Sequence, residues 1–131
     1  MIQPHELIES QSVLEYYIEE TNEWLPTVMD WQDIRNCVED NTDFNKWHRG
    51  IPLTERILVE WCGFEKQTDS ADGIGDFSWF SYNGLEINND IGGWFIIDPY
   101  RALPAMRFHT LHHLQMLILA ITNQPLKITL K

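Results

Sequence analysis

β-forming residues cluster near the start of the chain and predict an N-terminal β-hairpin. Residues 13–18 are rich in valine, leucine, isoleucine and tyrosine, and a polar turn leads from them into a second such stretch, residues 24–29. Pro26 lies in this second stretch and has no backbone N–H to donate. It therefore restricts the second strand to an edge of its sheet or to a bulge.

A second group of β-forming residues predicts an antiparallel meander in residues 77–97. Asn83 and Gly84 lie between two such segments, and both residues tolerate the positive φ angles of a type I′ hairpin turn. The third predicted strand, residues 94–97, follows a pair of glycines. The polar stretch before the meander, residues 69–75, is expected to be a loop.

Two other segments have the features of helices. Thr54 is a good N-cap and Gly63 a good C-terminal glycine, so residues 55–62 are predicted to be helical. Apolar residues recur at helical spacing in residues 110–122. The polar residues 41–43 are expected to form a loop or a frayed helix end, and the alternation in residues 126–130 predicts a closing strand.

These elements predict an α+β fold in which a small antiparallel sheet, the C-terminal meander, packs against two helices beside an N-terminal β-hairpin. A length of 131 residues is typical of a single domain. Within that domain we expect an acidic N-terminal part, residues 1–50, and a helix–meander–helix part, residues 51–131.

The charge of the chain narrows its expected partners. Hydrophobic residues make up 44% of the sequence, which excludes global disorder, and 20 acidic against nine basic residues give a net charge of −11. Residues 1–50 hold eleven of the acids and three of the bases. Such a field repels DNA, RNA and anionic membranes and attracts basic protein surfaces. The simpler alternative is that the acidity only keeps the protein soluble.

The cysteines and the apolar runs point to the cytoplasm. Cys37 and Cys62 form no CxxC pair and are expected to be free thiols. The N-terminal residues lack the pattern of a secretion signal. The longest apolar run, residues 116–121, is far shorter than a membrane span, so a cytoplasmic protein is expected.

Two motifs together resemble a family of small uncharacterised proteins from Bacteroidetes genomes, their prophages and phages. In that family an I-P-L-T motif and a short helix ending in G-F precede a β-meander and a V-H-x-L-Q-x-L-x-x-x-L-T helix. The matching residues here are Ile51-Pro52-Leu53-Thr54, Ile57-Leu58, Gly63-Phe64 and the run from Leu111 to Thr122. They cover about a third of the chain, while residues 1–50 lack the family's R-I-G-N-type first strand. The resemblance implies a phage or mobile-element origin and no activity.

The histidine-rich segment 107–113 allows two kinds of chemistry. His109 and His113 are one helical turn apart and could share a metal, although capping or core-edge roles are favoured, and no metal or cofactor is expected. A second hypothesis is an anionic nucleotide pocket, completed in a homo-oligomer, that is lined by Arg101, Arg107, His109 and His112. The arginines could instead pair with surplus acids.

Aromatic residues in the acidic half suggest a partner-binding surface. The chain has six tryptophans, and aromatic residues are enriched at the centres of protein interfaces. The candidate partner-binding residues are Glu23, Trp24, Asp30, Trp31, Asp33 and Trp47.

The leading functional hypothesis is therefore a non-catalytic binding protein of phage or mobile-element type. It would act as a counter-defence or host-takeover inhibitor that masks a host protein with a basic surface. A nucleotide-sequestering sponge is the first alternative and a small hydrolase the second. No Gly-x-Ser-x-Gly motif or other catalytic signature is present, so an enzyme is not expected.

Overall fold

The computed structural model describes residues 1–97 and 107–131, and these residues form an α+β fold with two antiparallel sheets. The chain divides into two compact units. The first comprises Met1–Leu53 and Thr110–Leu126, and the second comprises Thr54–His109 and Lys127–Lys131. Within the described residues, no helix combines the length and the apolar character needed to cross a membrane.

The first unit contains the predicted hairpin in a three-stranded sheet. A 3-10 turn, Pro4–Glu6, precedes the hairpin strands, and three helices and a short third strand complete the unit. The elements are β1 (Val13–Ile18), β2 (Glu23–Val28), α1 (Trp31–Glu39), α2 (Asn41–Trp47), β3 (His48–Arg49) and α3 (Leu111–Thr122). The sheet order is β2-β1-β3, so Pro26 lies on an edge strand as the sequence predicts.

One apolar cluster in the core of the first unit is formed by side chains from the N-terminal arm, the hairpin and the two short helices. Its buried members are Ile2, Leu7, Leu14, Met29, Cys37 and Phe44. Helix α3 is attached to the hairpin by Gln115, which is 2% exposed. Its Oε1 accepts a hydrogen bond from the N–H of Val13 at 2.9 Å, and its Nε2 donates to the carbonyl of Gln11 at 2.6 Å. These bonds satisfy the amide within the unit.

The expectation that residues 41–43 form a loop or a frayed helix end is wrong, because α2 begins there. Asp40 ends α1 and caps α2: its side chain accepts a hydrogen bond from the N–H of Asp43 at 3.1 Å. A carboxylate at this position satisfies one of the unpaired donors of the helix start. The polar residues at this position therefore belong to the capped start of a helix and not to a loop.

The second unit begins with a turn that is wider than the predicted α-helix. Thr54 does cap it, accepting the N–H of Ile57 at 3.2 Å, and Gly63 ends it at φ +74°. However, Ile57–Trp61 is a π-helix. The backbone N–H of Cys62 donates a hydrogen bond to the carbonyl of Ile57, which closes the turn. An i→i+5 turn holds about one residue more than an α-turn. Ile57, Trp61 and Cys62 therefore lie on one buried face.

The meander of the second unit is larger than predicted. Its strands, in the order β4-β5-β6-β7-β8, are β4 (Glu65–Ala71), β5 (Gly75–Tyr82), β6 (Leu85–Asp90), β7 (Gly93–Ile96) and β8 (Arg107–Phe108). The turn at Asn83 and Gly84 has the predicted positive φ angles, 46° and 83°. Residues 69–71 belong to β4, not to a loop, because pairing with β5 forms a strand that has no apolar alternation of its own.

The predicted closing strand at residues 126–130 is also wrong. The alternation is present in the burial pattern, since Leu126 is buried and its neighbour Lys127 is exposed. The segment has no ladder partner among the described residues, and Thr129 donates one backbone hydrogen bond to the carbonyl of Trp61 at 2.9 Å. Alternating apolar and polar residues do not form a strand of a sheet unless a neighbouring strand is available for pairing.

Candidate functional site

The first unit contains a groove that is lined by the β1–β2 hairpin and by helices α1 and α2. Its volume is about 670 Å³, within the range of ligand-binding clefts. We call it the acidic groove. It is lined by Tyr16, Tyr17, Ile18, Glu19, Glu20, Thr27, Asp33, Asn36, Glu39, Asp40, Asp43, Phe44, Trp47 and His48.

Carboxylates dominate the polar lining of the acidic groove. There are six: Glu19, Glu20, Asp33, Glu39, Asp40 and Asp43. Glu39 pairs with Arg35 at 2.9 Å on the exposed side of α1. Within the described residues the other five carboxylates form no ion pair, and no lysine or arginine lines the groove. The groove therefore has a concentrated negative charge that the protein itself leaves mostly unpaired.

Aromatic rings form the apolar part of the same region. The rings of Tyr17 and Trp47 are stacked with centroids 6.1 Å apart, and the centroid of the Trp24 ring lies 5.2 Å from that of Tyr17. Tyr16 is 43% exposed and contacts the ring of His48. Negative charge and π faces thus occur together.

One arginine of the first unit already shows how a cation is held on this sheet. The guanidinium carbon of Arg49 lies 4.2 Å from the centre of the Trp24 ring. The Nε of Arg49 also pairs with the carboxylate of Glu15 at 2.6 Å. An aromatic face and a carboxylate together form a favourable site for a guanidinium group.

The start of α1 sets the ionisation of one groove carboxylate. Asp30 and Asp33 form a capping box: the N–H of Asp33 donates to Asp30 at 2.9 Å, and the N–H of Asp30 donates to Asp33 at 3.0 Å. The hydrogen bond from the backbone of Asp33 holds the pKa of Asp30 below its usual value. Burial raises the pKa of Asp33, and the negative charge of Asp30 adds to this rise.

The structure places two of the six predicted partner-binding residues on the acidic groove, namely Asp33 and Trp47. Trp24 is outside the lining but contacts Tyr17, which is part of it. The other three residues, Glu23, Asp30 and Trp31, are exposed and do not line the groove.

Most of the groove was not identified from the sequence. Asp33, Asn36, Asp40 and Asp43 recur at spacings of three and four residues, which places polar groups on one side of a helical segment. That periodicity could have revealed the acidic side of α1 and α2. Tyr16 and Tyr17 line the groove only because the hairpin packs beside the helices. The local sequence pattern does not predict that packing.

A second cavity of the first unit lies beside the N-terminal arm. Its volume is about 410 Å³. We call it the histidine cavity. It is lined by Met1, Ile2, Glu6, Asn45, His48, Arg49, Gly50, Thr110, His112 and His113.

Three of these lining residues form a compact cluster of potential metal ligands. Glu6 comes from the 3-10 turn, and His112 and His113 come from the first turn of α3. One donor atom from each lies within 4.8 Å of the other two. The Nε2 atoms of both histidines face Oε1 of Glu6: His113 is hydrogen-bonded to it, and His112 lies 3.5 Å away.

The carboxylate of Glu6 is fixed from two sides. Its Oε2 accepts the backbone N–H of Gln3, and its Oε1 contacts His113. Burial opposes ionisation of Glu6, but the hydrogen bonds from His113 and Gln3 hold the pKa of Glu6 below its usual value. Glu6 therefore carries its negative charge at neutral pH.

His112 is the most unusual member of the cluster. It is 2% exposed, and neither ring nitrogen has a hydrogen-bond partner within the described residues. Burial lowers the pKa of His112 to about 4, and the neighbouring His113 contributes, so the imidazole is neutral at pH 7. A Cβ at Gly50 would lie 2.9 Å from Cγ2 of Thr110 and 3.0 Å from Cε1 of His112, so a larger residue there would crowd the ring.

The residues of the nucleotide hypothesis are distributed over both units. Arg101 lies outside the described residues. In the second unit, Arg107 pairs with Asp90 and lies over the Phe95 ring, and His109 is exposed. His112 belongs to the first unit. The hypothesis remains a prediction, and the pairing of Arg107 with an acid is the arrangement that the sequence offered as its alternative.

The histidine pair that the sequence suggested as a metal site, His109 and His113, differs from the cluster in the structure. His109 precedes α3 and belongs to the second unit, while His113 belongs to the first. The cluster uses His112 instead, together with a glutamate 107 residues before His113. Neither cysteine takes part: Cys37 and Cys62 are free and buried, and burial raises the pKa of the Cys62 thiol to about 12.

Comparison with known proteins gives no match: no protein-family model, curated protein or solved structure matches this chain. The function must therefore be argued from the two sites themselves.

Proposed function

We propose that this protein is a non-catalytic binding protein that receives a lysine- or arginine-bearing segment of a partner protein in the acidic groove. The observation that carries the proposal is the set of five groove carboxylates without an ion-pair partner in the described chain, next to stacked aromatic rings. A cationic ligand would complete both features at once.

The physics of the groove favours cations over other ligands. Like charges in one cleft add their fields and attract an oppositely charged partner over a distance comparable with the Debye length. The rings of Tyr17 and Trp47 offer π faces on which a guanidinium or ammonium group binds favourably. Arg49, held between Trp24 and Glu15, is an example of this arrangement within the same sheet.

We further propose that the partner is a host protein whose basic surface is masked, in the manner of a phage-encoded or mobile-element-encoded counter-defence inhibitor. The net charge of −11 and the family resemblance of the I-P-L-T and α3 segments support this role. A masking protein needs complementary charge and a rigid surface but no reacting group.

Fluorescence anisotropy with a labelled peptide tests the proposal. The probe is an eight-residue peptide of alternating arginine and glycine, compared with a peptide in which glutamine replaces each arginine and with one in which glutamate does. We expect saturable binding of the arginine peptide that weakens as salt is added, and no binding of the other two. Equal affinity for the arginine and glutamine peptides would contradict a charge-selective groove.

A further inference from the structure

The cluster of Glu6, His112 and His113 has the donor types of a transition-metal site. Two imidazole nitrogens and one carboxylate are the protein ligands of many three-ligand zinc sites, and the same set is used for ferrous iron. Magnesium and calcium prefer all-oxygen sites. The chemistry of the donors therefore selects a divalent transition metal.

The distances within the cluster are compatible with one ion. Ligands at about 2.0–2.1 Å around a tetrahedral metal lie roughly 3.3 Å from one another. The Nε2 atom of His112 is 3.5 Å from Oε1 of Glu6, and all three donor atoms lie within 4.8 Å of one another. A single ion would require the hydrogen-bonded His113 and Glu6 to move apart and the widest donor separation to shorten.

Hydrogen bonding explains His113 but leaves His112 unexplained. His113 has Glu6 as its partner, so a carboxylate–imidazole pair would account for its position. His112 is fully buried with both nitrogens unpartnered, although its Nε2 points toward the same carboxylate at a distance too long for a good hydrogen bond. Buried polar groups without a partner are rare and costly. A metal ion would satisfy this nitrogen.

The surroundings of the cluster fit such a site. The Gln3 N–H bonded to Oε2 of Glu6 orients the carboxylate from outside, as neighbours of metal ligands commonly do. The three residues line the histidine cavity of about 410 Å³, which has space for a further ligand such as water. Three protein ligands leave one position of a tetrahedral zinc ion for such a ligand.

We propose that Glu6, His112 and His113 bind one divalent transition-metal ion, with zinc as the best match to the ligand set. The cluster shares no residue with the lining of the acidic groove, so either proposal can fail without the other.

Isothermal titration of the metal-stripped protein with zinc chloride tests this proposal, with magnesium chloride as the comparison. We expect one zinc ion per chain and no heat from magnesium. Glu6→Gln and His113→Ala each remove one ligand. Changes in the neighbours of a metal ligand already weaken metal binding by 10- to 100-fold, so loss of a ligand is expected to weaken zinc binding by about 100-fold or more.

His109→Ala is the matched control, because His109 is exposed and outside the cluster. It should bind zinc as the unmodified protein does. Circular dichroism of the metal-free variants checks that each is folded, and His112→Leu serves as a third ligand deletion if one is not. The proposal would be overturned by the absence of stoichiometric zinc binding, or by folded Glu6→Gln and His113→Ala variants that bind zinc as tightly as the unmodified protein.

Discussion

The acidic groove and the histidine cavity belong to the same unit but hold their functional groups in opposite ways. Five of the six groove carboxylates are exposed, so water solvates them and salt screens them, and Asp33 is half-buried. His112 in the cavity is buried and has neither water-exposed surface nor a hydrogen-bond partner in the described chain. The groove therefore acts through the sum of many charges, and the cavity through the position of a few atoms.

This difference predicts how each site responds to substitutions. A groove that works by summed charge should tolerate any one neutral substitution and respond to the number of charges that remain. A buried ligand set should lose its function with one substitution, and the protein should become more stable when an unpartnered buried group is replaced.

The largest expected effect is on peptide binding after two charge reversals in the groove, Glu20→Lys with Asp43→Lys. Both residues line the groove and are exposed, so the fold should persist. Near a surface each reversed charge costs about 1–2 kcal/mol with a nearby cation. We expect affinity for the arginine peptide to fall about 100-fold in the anisotropy assay, since two such losses combine.

The control for this variant is Asp72→Lys with Glu86→Lys, which changes the net charge equally at exposed positions of the meander. It should bind the peptide within about threefold of the unmodified protein, because neither residue lines the acidic groove and charges outside it are screened at physiological salt. If both pairs of reversals weaken binding to the same extent, the overall charge and not the groove attracts the peptide.

The next largest effect is on stability at His112. Replacing this ring by leucine, as in His112→Leu, removes a buried polar group that lacks a partner. We expect the metal-free protein to gain about 1–3 kcal/mol in free energy of unfolding, measured by urea denaturation. Zinc binding should be lost in the same variant.

Leu114→Ala, on the same helix, supplies the opposite control. Leu114 is fully buried, and its truncation should cost about 2–5 kcal/mol. A His112→Leu variant that is destabilised as strongly as Leu114→Ala would show that His112 contributes to packing and is not held at a cost to stability.

The smallest expected effect is the pH dependence of the groove. Burial raises the pKa of Asp33, so this side chain gains its proton at a higher pH than an unperturbed aspartate would. As the pH falls, the peptide affinity of the unmodified protein should begin to decline at a higher pH than that of Asp33→Asn. Protonation of Asp33 should reduce the affinity by about twofold. Anisotropy titrations between about pH 7.5 and 4.5 measure this difference; identical pH profiles would contradict it.

The stability contribution of Asp33 has a defined sign. Because its folded pKa is raised above the unfolded value, Asp33 contributes stability below its unfolded pKa, and this contribution is lost as the pH rises through the folded pKa. Asp30, whose folded pKa is lowered, contributes stability above its unfolded pKa and loses it as the pH falls. The two members of the capping box therefore oppose each other.

Elements with strong local chemistry were predictable from the sequence. The hairpin, the turn at Asn83 and Gly84, and helix α3 are determined by residues close to one another in the chain. Helices α1 and α2 were missed because Asp40 acts as an end of one and a cap of the other. Strand β4 was missed because its pairing partner, not its own pattern, determines it.

The candidate sites were predictable only in part for a related reason. Asp33 and Trp47 could be chosen from charge and aromatic content, which are local properties. The cluster of Glu6 with His112 and His113 depends on the docking of α3 beside the N-terminal arm. Charge, periodicity and motif spacing do not predict that contact between the two ends of the first unit.

The most direct test of the central claim is to map the arginine peptide on the protein by ¹H–¹⁵N NMR. If the acidic groove receives cationic segments, backbone amide shifts should concentrate at lining residues such as Tyr17, Glu39 and Trp47. Amides of the meander, such as Ser78 and Glu86, should remain unchanged. Shifts spread evenly over exposed acids, or centred outside the groove lining, would contradict the account.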